Sequence, residues 1–236
     1  MEIRELLIDL MKQFDNEQRA EEANTILLTM ETAMQEHLTV QPRDTEIWFK
    51  LGLLHNYCED QIASIECMDK ILSYDPQNGY ARIMSAIFMS IISVIDEVQF
   101  AKLDNFVSDD NEINSMIEYT KSIYYLVYGN DEMEEQVLKK SVLWSDKHAK
   151  NHADLAYIYM KKGDYKEACR LSLIALSNIK SICNQPCCYD FLDIDRFLDA
   201  YVTGMRPTLN SYGFTLYTLK MTLNKMNILK GTSNDQ

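Results

Sequence analysis

Trp48, Leu51 and Gly52, with Pro76 closing the segment that follows, constrain the fold of this chain more than any other residues. They lie in the run Thr45-Glu46-Ile47-Trp48-Phe49-Lys50-Leu51-Gly52-Leu53-Leu54-His55-Asn56-Tyr57, and the next helical pattern ends at Tyr74-Asp75-Pro76. A small residue at Gly52 lets two antiparallel helices approach closely, while Trp48 and Leu51 fill the space between successive pairs. Pro42 and Pro76 lie 34 positions apart, and each is followed by a short polar turn and a new helix. A period of that length indicates stacked helix pairs, none of which can bury its apolar face alone.

A second unit starts near Asn151. It runs Leu155-Ala156-Tyr157-Ile158-Tyr159, then Gly163-Asp164-Tyr165-Lys166-Glu167-Ala168, then Ala175-Leu176. Ala156 takes the place of Gly52, Gly163 makes the inter-helix turn, and Ala168 and Ala175 are the small residues of the second helix. This pattern resembles the tetratricopeptide repeat (TPR) family, clearly at about 45–78 and 149–180 and in degenerate form elsewhere. One period back from Tyr159 and Gly163 stand Tyr125 and Gly129, with Ser122 at the small position, but Glu134 stands where a small Ala is expected. One period forward from Trp48 and Gly52 stand Arg82 and Ala86, so that stretch keeps the small residue and loses the Trp. The N-terminal unit is less clear.

The resemblance implies an all-α fold, a TPR-like right-handed superhelix of antiparallel helix pairs with a C-terminal capping helix. It is expected to span residues 1–230 as a single domain, followed by a frayed tail at 231–236. The predicted capping helix, Ser211 to Lys230, carries Phe214, Leu216, Leu219, Leu223, Met226 and Leu229 largely on one side, as a stripe for the last repeat. Two breaks interrupt the pattern. Asp104-Asn105-Phe106-Val107-Ser108-Asp109-Asp110-Asn111 reads as an acidic loop, and Asn184-Gln185-Pro186 precedes a helix expected over roughly 189–202. Seven Gly and four Pro in 236 residues are too few for the turns of an all-β fold.

The formal charge of -13 argues against nucleic acid as a partner, because displacing counterions from phosphates needs clustered Lys and Arg. It favours a basic protein or peptide instead. Asp96, Glu97, Asp104, Asp109, Asp110, Glu112, Glu118, Asp131, Glu132, Glu134 and Glu135 concentrate the acid. Acids interrupt the apolar run at the N-terminus, so it lacks the form of a secretory signal. The weakly polar run from Ile83 to Ile95 is far shorter than the roughly 20 residues that span a bilayer. The expectation is therefore a cytoplasmic protein without membrane contact, and homodimerisation stays open.

No phosphate loop, nucleophile elbow or His-Glu-x-x-His pair occurs, so no catalytic residue, cofactor or metal is expected and the chain is not read as an enzyme. His148 and His152 stand four apart but lack a completing ligand, and read as surface histidines at a repeat boundary. Cys183, Cys187 and Cys188 have no second ligand pair for zinc and read as loop thiols, the place to look for oxidation. Cys58, Cys67 and Cys169 read as small core residues.

In the family, fixed positions of each first helix line a concave groove. On this sequence the resemblance places them at Glu46, Phe49, Leu53, Asn56 and Tyr57, and at Lys150, Ala153, Tyr157, Met160 and Lys161. The weaker copies contribute Tyr80, Ile83, Ile87, Met116, Tyr119 and Ile123. These side chains do not form the basic clamp with which some members hold a chaperone's terminal carboxylate. An apolar, aromatic, Met-containing groove suits an amphipathic helix or an extended apolar peptide. The expected function is thus a protein–protein interaction scaffold, adaptor or chaperone-like. The alternative is an acidic immunity or inhibitor protein that neutralises a basic effector through residues 96–135, with Asp109, Asp110 and Glu112 as contacts.

Overall fold

The computed structural model describes residues 2–17, 19–92, 97–183 and 208–233. Eleven helices and no strand occur among them: α1 (Ile3–Asn16), α2 (Ala20–Val40), α3 (Thr45–Tyr57), α4 (Gln61–Tyr74), α5 (Gly79–Ile92), α6 (Glu97–Asp104), α7 (Asn111–Val127), α8 (Asp131–Trp144), α9 (Ala149–Lys162), α10 (Tyr165–Cys183) and α11 (Thr208–Ser233). The chain divides into two compact units, α1–α5 and α6–α11. The helix expected at 189–202, with Cys187 and Cys188, lies outside the described residues, as do residues 234–236 of the tail.

In the first unit, side-chain caps set the helix starts. Asp44 accepts from the Ile47 amide (3.2 Å), Asp60 from Ala63 (3.0 Å) and Asn78 from Ala81 (3.0 Å), each satisfying an amide the helix itself leaves unpaired. Gly52 is where α3 and α4 meet. A Cβ built there would stand 2.6 Å from Met68 Cε and 3.2 Å from Cys67 Cβ, so the close approach expected from sequence is real. Trp48 Nε1–H donates to the Pro42 carbonyl at 2.9 Å and ties α3 to the turn before it. One period on, Arg82 donates through Nη2 to the Pro76 carbonyl at 2.7 Å. The repeat that loses the Trp therefore keeps the bond, with a guanidinium supplying the donor. Ile47, Leu51, Leu54, Met68, Ile71, Ile83, Met84 and Phe88 form the core.

Helices α2, α3 and α4 leave a cleft of about 350 Å³ between them, lined by Leu38, Trp48, Leu51, His55 and Cys67 among others. Burial pushes the Cys67 thiol up to about 12, so it stays protonated. Cys58 is not a core residue, because α3 ends before it and the side chain is exposed.

In the second unit, Asn130 caps α8 through the Met133 amide (3.2 Å), and Asp164 caps α10 through the Glu167 amide (3.1 Å). Gly129 (φ 69°) and Gly163 (φ 84°) hold the left-handed turns between paired helices, a region that strains any side chain with a Cβ. Ala156, Ala168 and Ala175 are fully buried where α9 and α10 meet. A polar pin joins three helices: Ser141 Oγ donates to the Ser115 carbonyl (2.7 Å), and Asn151 Nδ2 reaches Ser115 Oγ (3.2 Å).

Two expectations are corrected here. His148 and His152 are buried, not surface residues, and His148 is 1% exposed with neither ring nitrogen hydrogen-bonded. His152 Nε2 lies 3.0 Å from the Asp146 carbonyl oxygen, so the turn before α9 wraps over the ring. Burial lowers the pKa of both imidazoles and keeps them neutral. The face of α11 that packs is also not the predicted one. Thr215, Thr218 and Thr222 are fully buried, while Leu216 and Leu223 are exposed. Small threonines allow close approach, and α11 packs on α9 and α10. Among the described residues, no helix is long and apolar enough to cross a membrane.

Candidate functional site

The second unit brings the predicted groove positions of α9 together. Lys150, Asp154, Tyr157 and Lys161 are spaced by four, three and four residues and so form one stripe along the helix. Phe214 of α11 meets that stripe, with its ring centroid 5.1 Å from Tyr157 at an interplanar angle of 52°. The Lys150 ammonium lies 5.7 Å from the Phe214 centroid, and Lys161 Nζ lies 5.6 Å from that of Tyr157. Each ring thus carries its own cation, an attraction of about 0.5–1 kcal/mol at partly exposed sites. Met160 is half-buried beside them.

Charges around the stripe are paired unevenly. Lys150 Nζ donates to both Asp154 oxygens, at 2.7 and 3.0 Å. Lys161 Nζ stands 4.0 Å from Asp131. Glu134, on α8, is 8% exposed and feels the charges of both pairs. Burial, then the negative charges of Asp154 and Asp131, push it up to about 7. Burial also raises the Asp154 pKa, against the pull of Lys150. Among the described residues no group of three or more His, Cys, Asp or Glu could hold a metal ion.

The predicted contacts in the first unit do not form an open groove. Phe49 and Leu53 are buried, Leu53 at 1% exposed, and belong to the core. Arg4 pairs with Glu46 (2.8 Å) near the starts of α1 and α3, and Phe14 sets its ring edge-on to Tyr57 (5.7 Å) near their ends. Helix α1 therefore runs alongside α3 in the same direction and meets the predicted face. Asn56 is half-buried. Tyr119, in the second unit, is buried in α7 and is withdrawn from the contact surface.

The acidic region is largely engaged within the chain. Asp110 caps α7 through the Glu112 amide (2.7 Å), and Glu112 pairs with Lys147. Asp104 and Glu118 each stand 3.0 Å from the buried Lys121 ammonium. Glu135 takes Lys139 (2.6 Å) and Lys162. Asp109 is exposed. Among the described residues, the acids of 97–135 thus cap helices and close ion pairs more than they form one open patch. Glu134, Asp154 and Phe214 were not among the predicted contacts. The available signal was Glu134 itself, a carboxylate one period before Ala168.

A Tetratricopeptide repeat family model matches residues 45–78 and 149–171. A search of curated proteins gave no match. Among solved structures, a crystal structure of MamA superposes with a TM-score of 0.53 at 16% identity, covering 69% of this chain and 94% of that one. A MamA double mutant gives 0.52 at 16% identity, covering 78% and 99%. PilW, described as a widely conserved type IV pilus biogenesis factor, gives 0.56 at 12% identity, covering 97% and 94%. At these identities the likeness is one of fold: an all-α array of TPR-like helix pairs.

Proposed function

We infer, from a chain that carries tetratricopeptide repeats at residues 45–78 and 149–171, that this protein is a protein–protein interaction scaffold, without catalytic activity. The finer reading is an adaptor or chaperone-like protein of the cytoplasm that holds a segment of its partner along the α9–α11 face. One observation carries it. Tyr157 and Phe214 stack at 5.1 Å on a helix face whose polar neighbours are two lysines and three carboxylates, so an aromatic platform sits within a charged rim. That layout, an apolar anchor surrounded by polar groups, is the usual anatomy of a binding hot spot.

The rival reading, an acidic inhibitor acting through Asp109, Asp110 and Glu112, has less support, because Asp110 and Glu112 are already engaged within the chain. The test is capture of the partner from native cells, its identification by mass spectrometry, and measurement of its affinity for variants. Tyr157→Ala should weaken binding about tenfold or more, equivalent to about 1.4 kcal/mol. The triple change Asp109→Asn, Asp110→Asn and Glu112→Gln should leave affinity within about twofold at physiological salt. The reverse ranking would favour the inhibitor.

A further inference from the structure

Helix α9 starts differently from its neighbours in the second unit. Asp110, Asn130 and Asp164 cap α7, α8 and α10 through their side chains, whereas the N-cap place of α9 holds His148, whose side chain caps nothing. The turn before α9 is held by other means. His152 Nε2 stands 3.0 Å from the Asp146 carbonyl oxygen, and Asn178 Nδ2, on α10, donates to the same oxygen at 2.7 Å. A carbonyl only accepts, so Nε2 carries the hydrogen of the neutral His152 ring and Nδ1 is bare.

Neither imidazole has a place for a second proton. Both rings are buried, and among the described residues His148 Nδ1, His148 Nε2 and His152 Nδ1 have no hydrogen-bond partner. Protonating His152 puts a donor at Nδ1 with no acceptor, and protonating His148 leaves two such donors. Both residues also stand at the N-terminal end of a helix, where the macrodipole opposes positive charge. The surrounding charges divide. Lys147, on the turn, and Arg170, on α10, oppose protonation, and His152 opposes it at His148. Glu112, on α7, and Asp146 favour it, but Glu112 is already paired with Lys147. Burial is the leading influence at both rings and sets the balance against the charged form.

We propose that His148 and His152 form a proton-operated latch: when neutral they hold the 145–148 turn in place, and when protonated they release it together with the start of α9. Lys150 and Asp154, which begin the stripe that reaches Tyr157, follow this turn directly. Release therefore frays the binding face and lets the partner go, a consequence that rests on the groove reading. With the turn open, each ring takes up a proton at its ordinary value of 6.5; with it closed, burial holds each below that. The open form thus binds more protons, and acidification from about 6.5 downward favours it. If the closed form stays neutral, lowering the pH from 7.5 to 5.5 raises the opening equilibrium about tenfold per ring, and about a hundredfold for both.

The test is amide hydrogen exchange on the full chain at pH 7.5 and 5.5, corrected for intrinsic rates, together with an NMR titration of the imidazole ring carbons. Amides of residues 153–156, which bond the first turn of α9, should lose about tenfold or more of their protection at pH 5.5. That loss should follow the protonation of the two rings, while the middle of α7 keeps its protection. The double variant His148→Leu with His152→Gln keeps an N–H for the Asp146 carbonyl and does not titrate here. Its protection should change less than about twofold between the two pH values. Rings that protonate while residues 153–156 stay protected overturn the latch, as does a loss shared equally by α7 or by the variant. The ring titration uses the wild-type chain, so it decides the question even if the variant does not fold. None of these readouts needs a partner. If Tyr157→Ala leaves partner binding intact, the groove reading fails and the latch itself stands.

Discussion

Replacing Glu134 by Gln removes one ionisable group at constant shape, and the structure dictates how stability should respond to pH. The carboxyl moves from its ordinary 4.5 to about 7 on folding, for which burial is the leading cause. At 1.36 kcal/mol per tenfold change, holding it ionised in the folded state costs at most about 3 kcal/mol. Solvent still reaches this face, so screening reduces the expected penalty to about 1–2 kcal/mol. The sign follows from proton counting. Between pH 4.5 and 7 the folded chain binds more protons at this site than the unfolded chain, so wild-type stability falls as pH rises through that window. The penalty is absent below about 4.5 and complete above about 7. Urea unfolding of both proteins at pH 4.5, 5.5, 6.5 and 7.5 should therefore show Glu134→Gln gaining about 1–2 kcal/mol relative to wild type across the series. A pH-independent difference would refute the idea that burial and the neighbouring carboxylates raise this carboxyl on folding, as would a gain that shrinks with rising pH.

Other perturbations test the scaffold. Gly52→Ala adds a methyl 2.6 Å from Met68 Cε and 3.2 Å from Cys67 Cβ. Overpacking of about 1–3 kcal/mol should outweigh a gain in helix propensity of up to about 1 kcal/mol, lowering the urea midpoint. His148→Leu removes a buried ring with no hydrogen-bonded nitrogen, and should leave neutral-pH stability equal or raised by about 1 kcal/mol. Because burial lowers the folded-state pKa of this imidazole, its contribution is lost as pH falls through its unfolded value of 6.5. The variant should accordingly lose less stability than wild type between about pH 6.5 and 5. An equal loss in both would show that the ring is not buried neutral.

The parts of the fold that sequence revealed are those fixed by backbone and packing rules within a single repeat. Gly52, Ala156 and Ala168 must be small where helices touch, and Gly163 must adopt positive φ, so their pattern can be read directly. What sequence concealed depends on neighbours far along the chain. Phe49 and Leu53 sit at groove positions of the repeat, but their surroundings turn them into core. In α11, both an apolar stripe and a threonine stripe are available, and contact with α9 and α10 selects the small one. His148 and His152 looked superficial because they lie at a helix boundary, whereas the fold buries both rings. Glu134 was visible as a departure from the repeat, but its environment is made by Asp154, Lys150 and Lys161 on the next helix. A misfit in a repeat pattern shows where function can be sought; only the packed neighbours show which chemistry it offers.

The central claim is that partners are held on the α9–α11 face of the second unit. Hydrogen exchange of the full chain, with and without the partner captured from native cells, tests it most directly. Binding should slow amide exchange along residues 149–162 and around Phe214 by about tenfold or more, leaving the loop 105–110 unchanged. Slowing confined to that loop and the start of α7, with α9 unaffected, would contradict the claim.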